Sequence, residues 1–481
     1  MLFNSLEFMF FLPVIFTIFW IMPDRYRWFL LLVSSYFFYM FEIPQYGFLI
    51  LGITIVSYVS ALLIEKNVTN EKNRKIILFF SIFICLTTLF IFKYFNFFDR
   101  IFDQLLCSVK IKYDPFTLNI ILPVGISFYT FQTMSYVIDV YRGDIRAEKH
   151  FGKYAAFVSF FPQLVAGPIE RTQNLLPQIH KEKKFNYDQA ITGMKQMLWG
   201  YYKKLVVSDM LSPYVKNVFE QPQEFQGFSL VIASIFFSIQ IYCDFSGYSD
   251  IAIGVSKLFG INLMKNFDSP YFSKSLREFW NRWHISLSTW FRDYVYIPMG
   301  GNRVGKLRHC FNLLITFMIS GLWHGADWTF IIWGSIHGLG QILETLLFGK
   351  AKESRYLPIR VLQTIIVDIF CILAWVFFVS NTVSDAFYVI AHSFSGLSAP
   401  ISYIRNGLSD IQLKGFAPCL LIGITSLIVF IYDYIAIKKK SSDWFLKSSR
   451  IVQWIYYIFL GLMILFFSQK GVTTEFIYFQ F

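Results

Sequence analysis

The sequence predicts an all-α protein that crosses a lipid bilayer many times. Of its 481 residues, 55% are hydrophobic and only 15% charged, and the mean hydropathy of +0.49 lies outside the range of soluble globular chains. Aromatic residues reach 20%, with 57 Phe among them, as lipid-facing helices with aromatic belts at both interfaces require. Long apolar stretches recur from one end of the chain to the other.

A helix needs about 20 mostly apolar residues to cross ~30 Å of hydrocarbon. Stretches of that kind lie near residues 8–22, 28–41, 46–64, 76–97, 152–168, 227–243, 327–348, 361–380, 417–437 and 452–468. Several are short, which implies tilt or incomplete crossing. Weaker apolar stretches near 117–138, 190–206, 250–260 and 308–322 read as spans, re-entrant helices or interfacial helices, so ten to thirteen spans are expected. The first stretch lacks the basic leader of a cleaved signal peptide and is expected to be retained. No internal repeat, low-complexity linker or polar block of domain size interrupts the pattern.

Loop charge gives an orientation. Lys66, Lys72, Arg74 and Lys75 place the loop 65–75 in the cytoplasm, whereas the turn Glu42-Ile43-Pro44-Gln45 has no basic residue. By alternation, the segment Asp24–Arg27 lies inside and the N-terminus outside. Lys438, Lys439, Lys440, Lys447 and Arg450 mark a further inner loop, which places the C-terminus outside. The net charge of +12 is thus spread over short loops. It fits anionic lipid headgroups and excludes the single basic face of a nucleic-acid-binding protein. Six scattered cysteines, without CxxC or metal-type spacing, read as packing residues.

Chemistry concentrates in the middle third. Ser275–Asn302 is dense in Trp, Arg and Tyr and reads as one interfacial or re-entrant helix. One face would carry Trp280, His284, Leu287 and Phe291, and the other Glu278, Arg282, Thr289 and Arg292. Further on, His324 lies deep in apolar sequence between Gly321 and Gly325, which let other groups approach its backbone closely. A titratable residue at membrane depth is costly and is a functional candidate, and neutral imidazole is the usual general base near neutral pH. The alternative for both histidines is a packing role with one hydrogen bond inside the bundle. His337, thirteen residues beyond His324, falls some 220° around a continuous helix and ranks as a packing or supporting residue. Neither histidine has Cys, Glu or a third His beside it in the chain, so no metal is expected. No GxSxG elbow surrounds Ser127 and no GxxxxGK[ST] loop is present. Polar islands at Phe161–Arg171 and Asp244–Asp250 read as broken helices lining a cavity, an arrangement a transporter's midplane site would share.

Five segments carry a family resemblance: PVGISFYTFQTMSYVIDVYRG at 123–143, FPQLVAGPIER at 161–171, YCDFSGYSDIAIG at 242–254, FWNRWHISLSTWFRDYVYIPMGGN at 279–302 and LWHGADWTFIIWGSIHG at 322–338. Together the chain resembles bacterial membrane-bound O-acyltransferases of the alginate O-acetylase branch, related to the teichoic-acid D-alanyl transfer protein. The resemblance implies a ring of tilted helices around a central tunnel. It also implies one membrane-embedded domain over 1–481, with a catalytic core at about 120–345 and additional helices at 1–97 and 361–468. The family's invariant histidine falls on His324 and its second polar residue on His284.

The implied reaction moves an acyl group, most simply acetyl, from a cytoplasmic thioester to an extracytoplasmic hydroxyl, with His324 as general base and His284 orienting the acceptor or stabilising the oxyanion. The donor, acetyl-CoA or an acyl carrier's phosphopantetheine, would be a substrate and not a resident cofactor. Arg282 and Arg292, with Arg303 and Lys306 nearby, are candidates to meet its phosphates. The resemblance further implies a separate extracytoplasmic SGNH-type acyltransferase partner. The aromatic end Glu475–Phe481 would dock it or anchor at the interface. D-alanyl transfer to teichoic acid and a glycan-precursor transporter or flippase are the alternatives.

Overall fold

A computed structural model describes residues 1–349, 356–410, 416–441, 448–468 and 476–477. The described residues form helices and no strands, in two compact units: residues 1–197 with 252–264, and residues 198–251 with 265–481.

In the first unit, α1 (Leu6–Ile21), α2 (Asp24–Met40) and α3 (Tyr46–Lys66) are followed by α4 (Glu71–Leu89), which runs through a π-helical turn into α5 (Phe95–Ser108). Next come α6 (Ile126–Arg142), α7 (Phe151–Ser159), α8 (Phe161–Leu164), α9 (Thr172–His180) and α10 (Tyr187–Tyr201), whose last residues pass into the second unit. Fourteen residues of α6 are buried. Most of its polar side chains find partners within the protein, as where Gln132 Nε2 donates to the Phe157 carbonyl at 3.1 Å, while Thr130 Oγ1 has none among the described residues. A helix at this depth, polar all round, lowers its cost by such pairing. The Met1 ammonium pairs with Glu42 at 3.1 Å, so the N-terminus and the turn at 42–45 share one face. On the other loops, an Arg74 guanidinium N–H is donated to the Tyr141 carbonyl and Arg27 reaches the Lys183 carbonyl at 2.6 Å.

The second unit contains α11 (Asp209–Glu220), most of α12 (Phe228–Leu258), α13 (Leu276–Arg282), α14 (Ile285–Phe291), α15 (Lys306–His324), α16 (Trp328–Phe348), α17 (Leu357–Val379), α18 (Val383–His392), α19 (Pro400–Asp410), α20 (Phe416–Lys439) and α21 (Arg450–Phe467).

Among the described residues, seven helical stretches are long and apolar enough to cross a bilayer: Tyr46–Lys66, Glu71–Ser108, Phe228–Leu258, Trp328–Phe348, Leu357–Val379, Pro418–Lys439 and Arg450–Phe467. That is fewer than the ten to thirteen expected. The apolar stretches at 8–22 and 28–41 form helices of 16 and 17 residues, and 152–168 is no span. It breaks at Phe160 into α7 and α8, and its residues from Tyr154 on are buried. Hydropathy registers burial in protein as strongly as burial in lipid. The polar island at 244–250 is also not a break: α12 continues through it, because buried partners satisfy its polar side chains.

Candidate functional site

The site lies wholly in the second unit. The expected continuous helix over 275–302 is interrupted at His284, which takes the left-handed conformation at φ 44° and ψ 54°. A non-glycine residue is rarely held there. The surroundings fix it. α13 starts on a side-chain cap, in which Ser275 Oγ accepts from Glu278 N at 3.0 Å, and Glu278 Oε2 accepts from the N–H of the preceding Lys274 at 2.9 Å. After the helix ends, Asp268 N donates to the Arg282 carbonyl and Ile285 N to the Asn266 carbonyl, both at 2.9 Å. The chain segment 266–268 therefore takes the hydrogen bonds that a continuing helix would have used. The face assignment made for an unbroken helix consequently fails: His284 sits at a corner.

Asn266 is the partner that orients the ring. Its Oδ1 lies 3.2 Å from His284 Nδ1 and accepts from Ser286 N at 3.2 Å and Ser286 Oγ at 2.9 Å, while its Nδ2 donates to Ser249 Oγ at 3.3 Å. An amide oxygen offers no proton, so the network assigns the imidazole proton to Nδ1 and the lone pair to Nε2. Both residues are buried. Phe245 of α12 packs edge-on against the His284 ring at 4.6 Å.

His324 is the last residue of α15. The α15–α16 hairpin places it through a glycine contact. A Cβ on Gly321 would stand 2.2 Å from the Phe330 carbonyl oxygen, and one on Gly334 would stand 2.2 Å from that of Phe317. Only glycine permits this approach. Asp327 then opens α16 by accepting from Thr329 N at 3.1 Å. The His324 ring, 5% exposed, is walled by Trp333 at 5.1 Å and Phe378 at 5.4 Å.

The two histidines meet. Their ring centres are 6.3 Å apart and inclined by 65°, too far for a direct ring-to-ring hydrogen bond and close enough for both to address one substrate group. His337 is drawn to the same aromatic cluster: Trp333 lies 5.1 Å from it, the same distance as from His324. Its Nδ1 accepts from Trp280 Nε1 at 3.3 Å. His337 is fully buried in that cluster, a packing position of the kind expected for it.

A cavity of about 200 Å³ is lined by Arg277, Trp280, Ser288, Thr289, Arg292 and Ser320, among others. Ser320 precedes His324 by one turn of α15. Of the two arginines singled out for donor phosphates, Arg292 lines this cavity and also bonds Asp293 at 2.7 Å. Arg282 does not line it: it pairs with Glu278 at 2.7 Å and donates to the Asp268 carbonyl at 3.2 Å. Arg277, not singled out from the sequence, lines the cavity instead.

The sequence also gave no prominence to a buried charge cluster. Lys204, on a π-helical turn over Tyr202–Ser208, contacts Asp244 at 2.6 Å and Asp209 at 2.9 Å, and Lys203 contacts Asp250 at 2.6 Å. Two consecutive lysines inside the apolar stretch 190–206 were the available signal. Phe476 and Ile477 cap this cluster. Ile477 N donates to Asp244 Oδ2 at 2.8 Å, and the Phe476 ring lies 4.5 Å from Lys204 Nζ and 4.6 Å from Tyr248. These two residues are buried, so they present no surface to a partner or to lipid; 475 and 478–481 lie outside the described residues.

The sequence profile of the membrane-bound O-acyltransferase family, MBOAT, matches residues 145–383. The chain is 38% identical to a probable alginate O-acetylase of Azotobacter vinelandii, over 82% of this chain and 78% of that protein. The chain belongs to the membrane-bound O-acyltransferase family. It is thus a multi-pass membrane O-acyltransferase. A peptidoglycan O-acetyltransferase of Helicobacter pylori is 32% identical over 100% of this chain and 98% of its own length. A teichoic acid D-alanyltransferase of Streptococcus thermophilus is 31% identical over 48% of this chain and 58% of its own. The motifs that suggested the acyltransferase from sequence lie partly inside the matched region: 123–143 precedes it, and the segments around both histidines fall within it.

Proposed function

We propose that this acyltransferase moves an acetyl group from a thioester on the cytoplasmic side to a hydroxyl of a cell-surface glycan, directly or by way of an extracytoplasmic partner transferase. The observation that carries the reading is the convergence of His284 and His324, two buried imidazoles 6.3 Å apart, with a cavity reaching Ser320 one turn from His324. His324 takes the proton of the acceptor hydroxyl as its oxygen attacks the thioester carbonyl. A C–O bond forms, the C–S bond breaks, and the proton passes to the departing thiolate. His284, held by Asn266, keeps one imidazole face toward the reacting group and stabilises charge there. Arg277 and Arg292 at the cavity suit the phosphate of a coenzyme A or phosphopantetheine donor.

Acetyl is favoured over D-alanyl because the O-acetyltransferase relative aligns with the whole chain, whereas the D-alanyltransferase aligns with about half. Sidedness follows the basic loops, with the N-terminus outside and the membrane being the cytoplasmic one. The test is the ester content of surface glycans, released by mild base from cells carrying the wild type, His324→Ala or His284→Ala at equal membrane abundance. Loss of ester in His324→Ala, with acetate released by the wild type, supports the reading. Wild-type ester in His324→Ala removes the general base, and released alanine replaces the acetyl group.

A further inference from the structure

Outside the histidine site, the first unit has a second cleft, of about 390 Å³, along α9. Its lining includes Arg146, Glu148, Thr172, Gln173, His180 and Lys181, with the Gln173 amide donating to Asp139 Oδ2 at 3.0 Å. Thr172 and Gln173 open α9 and Lys181 follows its end, so the lining residues run the length of a nine-residue helix, about 13 Å at 1.5 Å per residue.

Two features of this cleft suit an anion. Thr172 is 4% exposed, and its Oγ1 has no hydrogen-bond partner among the described residues. Arg146 and Lys181, both exposed, have no counter-ion there either, because the carboxylate in the lining, Glu148, is engaged by His180 at 2.7 Å. The cleft also lies on the face of the basic loops: Arg74 bonds the Tyr141 carbonyl, and Ala147 N donates to Glu65 at 3.3 Å. By loop charge this is the cytoplasmic face.

We propose that this cleft is a binding site for a phosphate ester on the cytoplasmic side, with Arg146 and Lys181 as its cations and the first turn of α9 as its neutral donors. The same chemistry belongs to two sources: the nucleotide end of a soluble thioester donor, and the headgroup of an anionic phospholipid. Only the first rests on the donor reading above.

The test uses the full-length protein in neutral detergent. Adenosine 3′,5′-bisphosphate binding is read by calorimetry, and retained phosphatidylglycerol is counted by native mass spectrometry. Arg146→Gln and Lys181→Gln each weaken one of these by about fivefold, from the roughly 1 kcal/mol carried by a basic side chain near an anionic surface, while Arg146→Lys preserves it. Weakened bisphosphate binding identifies the nucleotide, and weakened lipid retention identifies the headgroup. Failure of the wild type to bind either, or full binding of both by the double variant, overturns the site. Amine-reactive labelling of Lys181 in the wild type supplies a check independent of variant folding: the bound ligand slows it, and an unchanged rate counts against the site. Because binding is measured without turnover, loss of the acyl-transfer reading would leave these results standing.

Discussion

His284 Nδ1 stands 3.2 Å from Asn266 Oδ1, and that contact decides which imidazole nitrogen faces away from Asn266 with its lone pair. The same oxygen accepts from both polar groups of Ser286, so Asn266 holds the corner at which α13 gives way to α14. A residue with no titratable group thereby orients a candidate imidazole.

Asn266→Ala is expected to lower kcat of acyl transfer with little change in the donor KM. Leaving a buried donor unpaired costs about 1–3 kcal/mol, which corresponds to roughly 5- to 160-fold in rate. Steady-state kinetics in reconstituted membranes check this, and a change confined to KM would contradict it. Asn266→Asp keeps an acceptor and retains more activity than the alanine variant.

Gly321→Ala and Gly334→Ala are expected to force α15 and α16 apart, since each new Cβ would stand 2.2 Å from a backbone carbonyl oxygen, and backbone cannot swing aside as a flexible side chain can. Both variants should lose thermal stability and activity together. Gly305→Ala, with open space around it, is the control and should behave as wild type in the same melting experiment.

Lys204→Met should destabilise far more than Lys203→Met. Lys204 has two buried carboxylate partners, Asp244 and Asp209, and removing one side of such a group costs about 3–5 kcal/mol. Lys203 pairs with Asp250, whose side chain is 21% exposed, so its loss strands a less deeply buried charge. Comparison of detergent melting midpoints decides the order, and equal losses would show that the second carboxylate adds nothing.

Stability should fall as pH rises from about 4.5 toward 7 because of Glu170. Burial pushes its carboxyl up to about 7, with Asn174, the Met264 N–H, the Arg171 N–H and the Arg171 charge pulling the other way. Asn174 Nδ2 donates to it at 2.6 Å. Below about 4.5, folded and unfolded chains both carry the proton and this contribution is complete. Between the two values only the folded chain keeps it, so the contribution is lost as pH rises through the folded value. Glu170→Gln should flatten the melting midpoint across this window, and an unchanged slope would assign the pH dependence elsewhere.

The sequence alone determined the solvent and singled out the titratable residues set in apolar surroundings. Lipid is read locally, because a run of apolar residues needs no distant partner to be recognised, and seven of the expected spans recur as helices of sufficient length. His284 and His324 were legible for the same reason: an ionisable group in apolar surroundings stands out wherever the chain goes, and the glycines beside His324 announced a close approach that Phe330 fills. Tertiary structure alone decided what those groups touch. Asn266 lies in a segment of ordinary polarity eighteen residues before His284. Periodicity put Arg282 and Arg292 on one face, until the corner at His284 sent them to different neighbours. The apolar run at 152–168 is buried in protein rather than lipid. In each case the deciding quantity was a hydrogen bond or contact closed over distance in the chain, and its free energy exists only once the fold brings both partners together.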